Sequence, residues 1–128
     1  MNAVAQFSAS YSNLQKNSNG APPGFPGSGY NWWYFDTTLR ETEGIVGITV
    51  NSRQKCYNSA FWGYSCSAVQ TDIASKFGTN HISPGGQIVW NNNYIWIGNG
   101  DTVTVTETFY GIDDNSNNVQ ASYSFIVS

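Results

Sequence analysis

The amino-acid sequence predicts an all-β chain, two antiparallel sheets with one short helix, on three observations. Apolar and polar residues alternate over stretches of about eight to ten residues, the period at which neighbouring strand side chains face opposite sides. Clusters of Gly, Pro, Asn and Asp separate these stretches at short intervals, where turns need their backbone freedom. The polar residues are mostly uncharged: charged residues are 10% of the 128 and aromatics 16%. A surface built from Asn, Ser, Thr and Gly disfavours helix, because such side chains compete for backbone hydrogen bonds.

The first strand is Val4 to Tyr11, with Ala5, Phe7, Ala9 and Tyr11 on one side and Gln6, Ser8 and Ser10 on the other. Residues 12–29 hold three prolines and four glycines and are expected to form a long surface loop. The second strand, YNWWYFDTTLRE, spans residues 30–41. One face carries Trp33, Phe35, Thr37 and Leu39 and suits a core; the other carries Tyr30, Trp32, Tyr34, Asp36, Thr38 and Arg40. A strand buried on one side needs a single apolar face, so Tyr30, Trp32 and Tyr34 are either a second buried layer or an accessible platform.

Gly44 to Asn51 is the third strand, directing Val46, Ile48 and Val50 inward. Val69 to Phe77 is the helical candidate: Thr71 can cap it, Ile73 and Phe77 share a face four residues apart, and Gly78 supplies a left-handed stop. Gln87 to Trp90 and Tyr94 to Ile97 flank Asn91-Asn92-Asn93 as a hairpin. Asp101 to Tyr110 places Val103, Val105 and Phe109 on one face; Glu107 shares it and calls for a bulge or an inward salt bridge. After the turn GIDDNSNN, Val119 to Val127 aligns Val119, Ala121, Tyr123, Phe125 and Val127. A chain of this length fits one domain, residues 1–128, able to bury roughly two-thirds of its unfolded surface.

The net charge is −3 with no basic cluster, which argues against nucleic acid as a partner. The apolar runs are far short of the ~20 residues a membrane helix needs, so membrane insertion is not expected. The start Met1-Asn2-Ala3 reads as leading into a mature domain, which leaves localisation to other signals. Cys56 and Cys66 enclose CYNSAFWGYSC, with no CxxC and no second ligand pair for zinc. A local disulfide closing a 56–66 loop is preferred over two free thiols and points to a secreted or cell-surface protein.

The final segment, DTVTVTETFYGIDDNSNNVQASYSFIVS, resembles the closing strand pair of immunoglobulin-like and fibronectin-like domains in secreted bacterial proteins. DIASKFGTNHISPGGQI resembles the middle of accessory sandwich domains attached to bacterial secreted hydrolases. The resemblance implies an immunoglobulin-like β-sandwich. The cysteine pair departs from the inter-sheet disulfide of that architecture, being too close in sequence to bridge two sheets.

Catalytic constellations are scarce. His81 is the single histidine, in a loop before Ile82 and Pro84, and no nucleophile elbow or zinc-protease helix is present. The chain is therefore read as non-enzymatic, with no cofactor required. Asp113, Asn115 and Asn117 open like a calcium loop, but glycine is missing at the sixth position and Ser124 stands at the twelfth. They form an Asx-rich turn or a calcium site. What remains is aromatic residues beside planar polar ones, the combination that stacks on sugar C–H faces and bonds their hydroxyls. It occurs three times: Tyr30, Trp32, Tyr34, Asp36 and Arg40 on the second strand; Trp62 and Tyr64, with Tyr57 and Phe61, in the cysteine loop; and Trp90, Asn92, Tyr94 and Trp96 around the asparagines. The leading expectation is a secreted glycan-recognition domain. Its rival is a structural or adhesive module that contacts another extracellular protein, and the sequence leaves oligomeric state undetermined.

Overall fold

A computed structural model of the chain describes residues 3–17, 21 and 28–128. The described residues form β1 (Phe7–Asn17), β2 (Tyr30–Glu41), β3 (Ile48–Ser59), β4 (Gly63–Cys66), α1 (Ile73–Phe77), β5 (His81–Ile82), β6 (Gln87–Gly98), β7 (Val103–Asp113) and β8 (Asn118–Val127). All the strand pairings are antiparallel. One sheet has the order β1-β2-β6 and the other β4-β3-β7-β8, with the short β5 also on β3. The inner faces meet in one apolar core: Phe35 of β2 packs edge-on to Phe125 of β8 with centroids 5.0 Å apart. Leu39, Ile48, Val50, Ile95, Val103 and Phe109 are all buried around it. The all-β expectation with one short helix holds.

Three bulges account for most departures from the expected elements. β1 does not stop at Tyr11 but continues to Asn17, so residues 12–17 of the expected 12–29 loop are strand. The β1–β2 register slips between Ser12 and Gln15, and Asn13 takes φ 56°, a conformation that asparagine tolerates at little cost. Residues 18–20 and 22–27 of that loop lie outside the described residues. The expected 91–93 hairpin is likewise a bulge inside one long strand, β6. Asn91 and Asn92 together oppose Asp36, and Asn92 takes φ 61°. The physical reason is Asp36 itself: its carboxylate accepts the Asn92 backbone N–H at 3.1 Å and the Asn13 side-chain amide at 2.7 Å, pinning a bulge on each flanking strand.

The third bulge decides where the functional side chains point. β3 slips against β7 between Val50 and Ser52, so its inward set changes parity. Ile48 and Val50 face the core before the slip; Arg53, Lys55, Tyr57 and Ser59 face inward after it. Gly111 makes this possible, since a Cβ there would lie 2.6 Å from the Thr49 carbonyl oxygen.

α1 is shorter than expected and begins at Ile73. Asp72, not Thr71, holds the N-cap position and makes no side-chain cap bond, because its carboxylate is spent on Arg53. The stop is as expected, with Gly78 at φ 81° and its N–H bonded to the Ala74 carbonyl. Glu107 takes the inward salt-bridge alternative. The β7–β8 register is unbroken at that point, and Glu107 bonds Arg53 at 3.1 Å.

The 56–66 segment is a β3–β4 hairpin rather than an open loop, and Cys56 and Cys66 stand directly opposite each other with Cα atoms 4.0 Å apart. They form a disulfide. A ring this small restrains little chain, so Cys56→Ser is expected to cost about 2–3 kcal/mol and to leave the core folded. Denaturant unfolding measures the cost. Two reactive thiols in the native, unreduced protein would refute the disulfide.

Candidate functional site

The two sheets differ in width, and the site lies where one overhangs the other. β6 is the edge of the three-stranded sheet, and it lies across from β3, whose Lys55 ammonium donates to Asn93 Oδ1 at 2.7 Å and to the Tyr94 carbonyl at 2.8 Å. Beyond that edge, among the described residues, no strand pairs on to β6 to cover the inward side chains of β3. They form the floor of a groove walled by β6 on one side and by the β3–β4 hairpin on the other.

The groove has two lobes that share Tyr57, Ser67 and Trp96. The first, about 330 Å³, adds Tyr30, Trp62, Asp101 and Val103. Its aromatics remain accessible: Tyr30 is 42% exposed, Trp62 54% and Trp96 38%. Trp62 is held in a fixed orientation, because its indole Nε1–H donates to Asp101 Oδ2 at 2.9 Å. Asp101 in turn accepts the Ser59 hydroxyl, and Ser59 Oγ accepts the backbone N–H groups of Phe61 and Trp62. This network ties the hairpin tip to the body of the domain.

The second lobe, about 260 Å³, is charged. Arg53, Lys55 and Lys76 lie 4.7, 5.2 and 5.5 Å from the ring centroid of Trp90. Arg53 makes two bonds to the Asp72 carboxylate, each 2.9 Å, and one to the fully buried Glu107. Burial would lower the guanidinium pKa, but the bonds to Asp72 and the charge of Glu107 raise it. The same pair holds Asp72 below its ordinary value, chiefly through the Arg53 hydrogen bond. Burial lowers Lys55 to about 8, with the positive charges of Arg53 and Lys76 adding to it and those of Glu107 and Asp72 opposing it. Burial and Glu107 together push the Tyr57 phenol up to about 12.

The residues singled out from the sequence separate into several places. Tyr30, Trp62, Trp90 and Trp96 come together along the groove, one or more from each of the three clusters. Trp90 is buried, with Arg53, Lys55 and Lys76 around its ring. Of the two alternatives left open for that face, Tyr30 takes the accessible one and Trp32, 1% exposed, the buried one, whereas Trp33 is only half-buried, against the expectation of a core position. The reason is the cross-strand pairing of Trp32 with Trp96, whose rings stack 4.8 Å apart with Tyr94 at 5.7 Å from Trp32. At that position the stripe is a second buried layer. Tyr34, Asp36 and Asn92 meet in a separate shallow hollow of about 220 Å³, where Asp36 is occupied with the bulges. Arg40 bonds Gln87 at 2.7 Å on the exposed face, away from both. Tyr64 is exposed, its hydroxyl 3.3 Å from Cys66 Sγ.

Asp113 organises its turn. Its carboxylate accepts from the backbone N–H groups of Ala5, Asn115 and Asn117 and from the Asn117 side chain. Asn115 and Asn117 direct their amides to the Ala3 carbonyl. Among the described residues no cluster of three or more His, Cys, Asp or Glu could hold a metal ion. His81 sits in β5 rather than a loop, its Nε2 3.3 Å from Asp114. Ser59, Asp101, Arg53 and Lys55 were not singled out by the sequence reading as site residues. The signal for three of them was the alternation of Arg53, Lys55, Tyr57 and Ser59, a polar stripe just beyond the expected Gly44–Asn51 strand, which β3 extends to Ser59.

Comparison with known proteins gives the fold. The chain is similar to Northeast Structural Genomics Consortium target SoR45, with a TM-score of 0.63 at 11% identity over 98% of this chain and 85% of that one. It is also similar to target BeR40 from Bordetella pertussis, which carries the provisional name ApaA protein, with a TM-score of 0.67 at 8% identity over 97% of this chain and 94% of that one. No family model matches the chain, and no curated protein does.

Proposed function

We propose that this domain is a non-enzymatic, secreted carbohydrate-recognition module and that the groove is its binding site. The observation that carries the reading is the convergence of Tyr30, Trp62 and Trp96 on one groove about 330 Å³ in volume, with the Trp62 indole locked by Asp101. A sugar needs flat apolar faces presented in fixed orientations beside polar groups, and preorganised aromatics bind with little loss of side-chain entropy. The Cys56–Cys66 disulfide supports an oxidising compartment. His81 is paired with Asp114 and does not line the groove, which supports binding rather than catalysis. The strand orders support the finer reading of an immunoglobulin-like sandwich. β1-β2-β6 correspond to A-B-E of that architecture and β3-β7-β8 to C-F-G, with β4 in the place of C′.

Trp62→Ala is expected to abolish retention on a polysaccharide matrix while leaving the thermal unfolding midpoint within a few degrees of the parent, since a half-exposed hairpin residue contributes little to the core. Affinity electrophoresis across a polysaccharide panel, beside a melting curve, reads both. A second reading, a structural or adhesive module, draws on Phe61 and Tyr64, 74% and 71% exposed at the hairpin tip. Concentration-dependent assembly with no retention on any polysaccharide would favour it and sink the first.

A further inference from the structure

The geometry points to an acidic saccharide as the ligand, with the Trp90 lobe taking its carboxylate or sulfate and Lys76 selecting for it. This rests on the glycan reading of the same groove. The chain has five Lys and Arg residues in all, and Arg53, Lys55 and Lys76 all lie within 5.5 Å of the Trp90 ring centroid. Among the described residues two carboxylates, Asp72 and Glu107, face them, and both are bonded to Arg53. One positive charge is therefore unmatched in a protein whose net charge is −3. Glu107 is fully buried behind the floor, so it does not confront a ligand in the groove.

The three cations have different freedom. Arg53 is fixed by Asp72, and Lys55 is buried with two of its protons given to Asn93 and Tyr94. Lys76, in the last turn of α1, is half-buried and can turn its ammonium into the lobe. Like charges crowded around one ring repel, and an anion placed among them relieves that repulsion while gaining a charge-assisted hydrogen bond. A neutral sugar leaves it unrelieved. The open lobe beside it, with Trp62 and Trp96, then receives the apolar face of the same or the next residue of the saccharide.

Two matched pairs of immobilised polysaccharide test this: polygalacturonate against its methyl ester, and dextran sulfate against dextran. The anionic member of at least one pair is expected to bind about tenfold more tightly, the effect of one well-placed charge contact, and the pair that responds tells carboxylate from sulfate. Lys76→Glu should erase that preference. Lys16→Glu, equal in charge change but on β1, should leave it. Equal binding within both pairs overturns the inference while the glycan reading stands. So does an equal loss from Lys16→Glu and Lys76→Glu, which would mean general attraction rather than a site. No retention on any of the four overturns the inference, and the glycan reading falls with it when the wider polysaccharide panel also gives none.

Discussion

Glu107→Ala is expected to destabilise the fold by roughly 3–5 kcal/mol, because it removes one member of a buried ion pair and leaves the other uncompensated. Glu107 is fully buried on β7. Its Oε2 accepts from Arg53 Nη1, and its Oε1 accepts from Asn93 Nδ2 and the Tyr123 hydroxyl. Asn93 passes the network on to Thr37, which also meets Tyr123 at 2.9 Å. The result is a polar layer that runs from β3 through β7 and β8 to β2 and β6, in the middle of an apolar core. Alanine would leave Arg53 with Asp72 alone and would strip Lys55 of the negative charge that most opposes its loss of a proton. Guanidinium unfolding measures the loss. Replacing the pair together, as Glu107→Leu with Arg53→Met, should recover part of it, since removing both charges removes the desolvation cost of each. A loss below about 1 kcal/mol for Glu107→Ala would mean that the network adds nothing beyond its packing.

That layer also marks the boundary of what a sequence discloses here. Strands with regular alternation were legible: β7 and β8 face inward as the period of two requires, and Val46, Ile48 and Val50 are buried. Glu107 stood out as the misfit in its pattern and carried its own explanation. The failures share one cause, a change of parity that depends on the neighbouring strand. A bulge in β3 at Asn51 turned Arg53, Lys55 and Tyr57 inward, and no residue in that strand signals the slip without knowledge that Gly111 lies opposite. Asn91-Asn92-Asn93 fits a hairpin and a bulge equally well by composition. Asp36, on a strand 56 residues before Asn92 in the chain, settles the choice with one hydrogen bond. The candidate site was legible as ingredients: three aromatic clusters were visible, but their meeting along the β6 edge depends on sheet widths that local sequence does not encode. Which of the two alternatives Trp32 takes was equally hidden, since the partner that covers it is Trp96 on another strand.

Acid should unfold the protein through Glu41 before most of its exposed carboxylates matter. Glu41 closes β2 with a fully buried side chain. Its Oε2 accepts the N–H groups of Gln6 and Glu43, and its Oε1 those of Gly44 and Gly85. Three chain segments, the approach to β1, the β2–β3 turn and the turn before β6, thus share one carboxylate. Burial by itself would raise its pKa, but the four N–H donors prevail and hold it at about 2, below the ordinary 4.5. A carboxylate depressed in the folded state makes the unfolded chain the better proton acceptor between those two values. Its contribution is therefore complete above about pH 4.5 and is lost as the pH falls towards 2. Asp72 and Asp113 are lowered as well and add to the same slope. Glu41→Ala, which leaves four backbone donors without their acceptor, should cost roughly 3–4 kcal/mol at pH 7, with the higher per-donor figures reduced because water can reach the turn. Glu41→Gln should cost less, and its stability should fall less steeply than the parent's between pH 4.5 and 2. Unfolding curves taken at pH 7, 4 and 3 separate these outcomes. Parallel losses in parent and Gln variant would show that another group governs the acid transition and that the four bonds to Glu41 do not hold the three segments together.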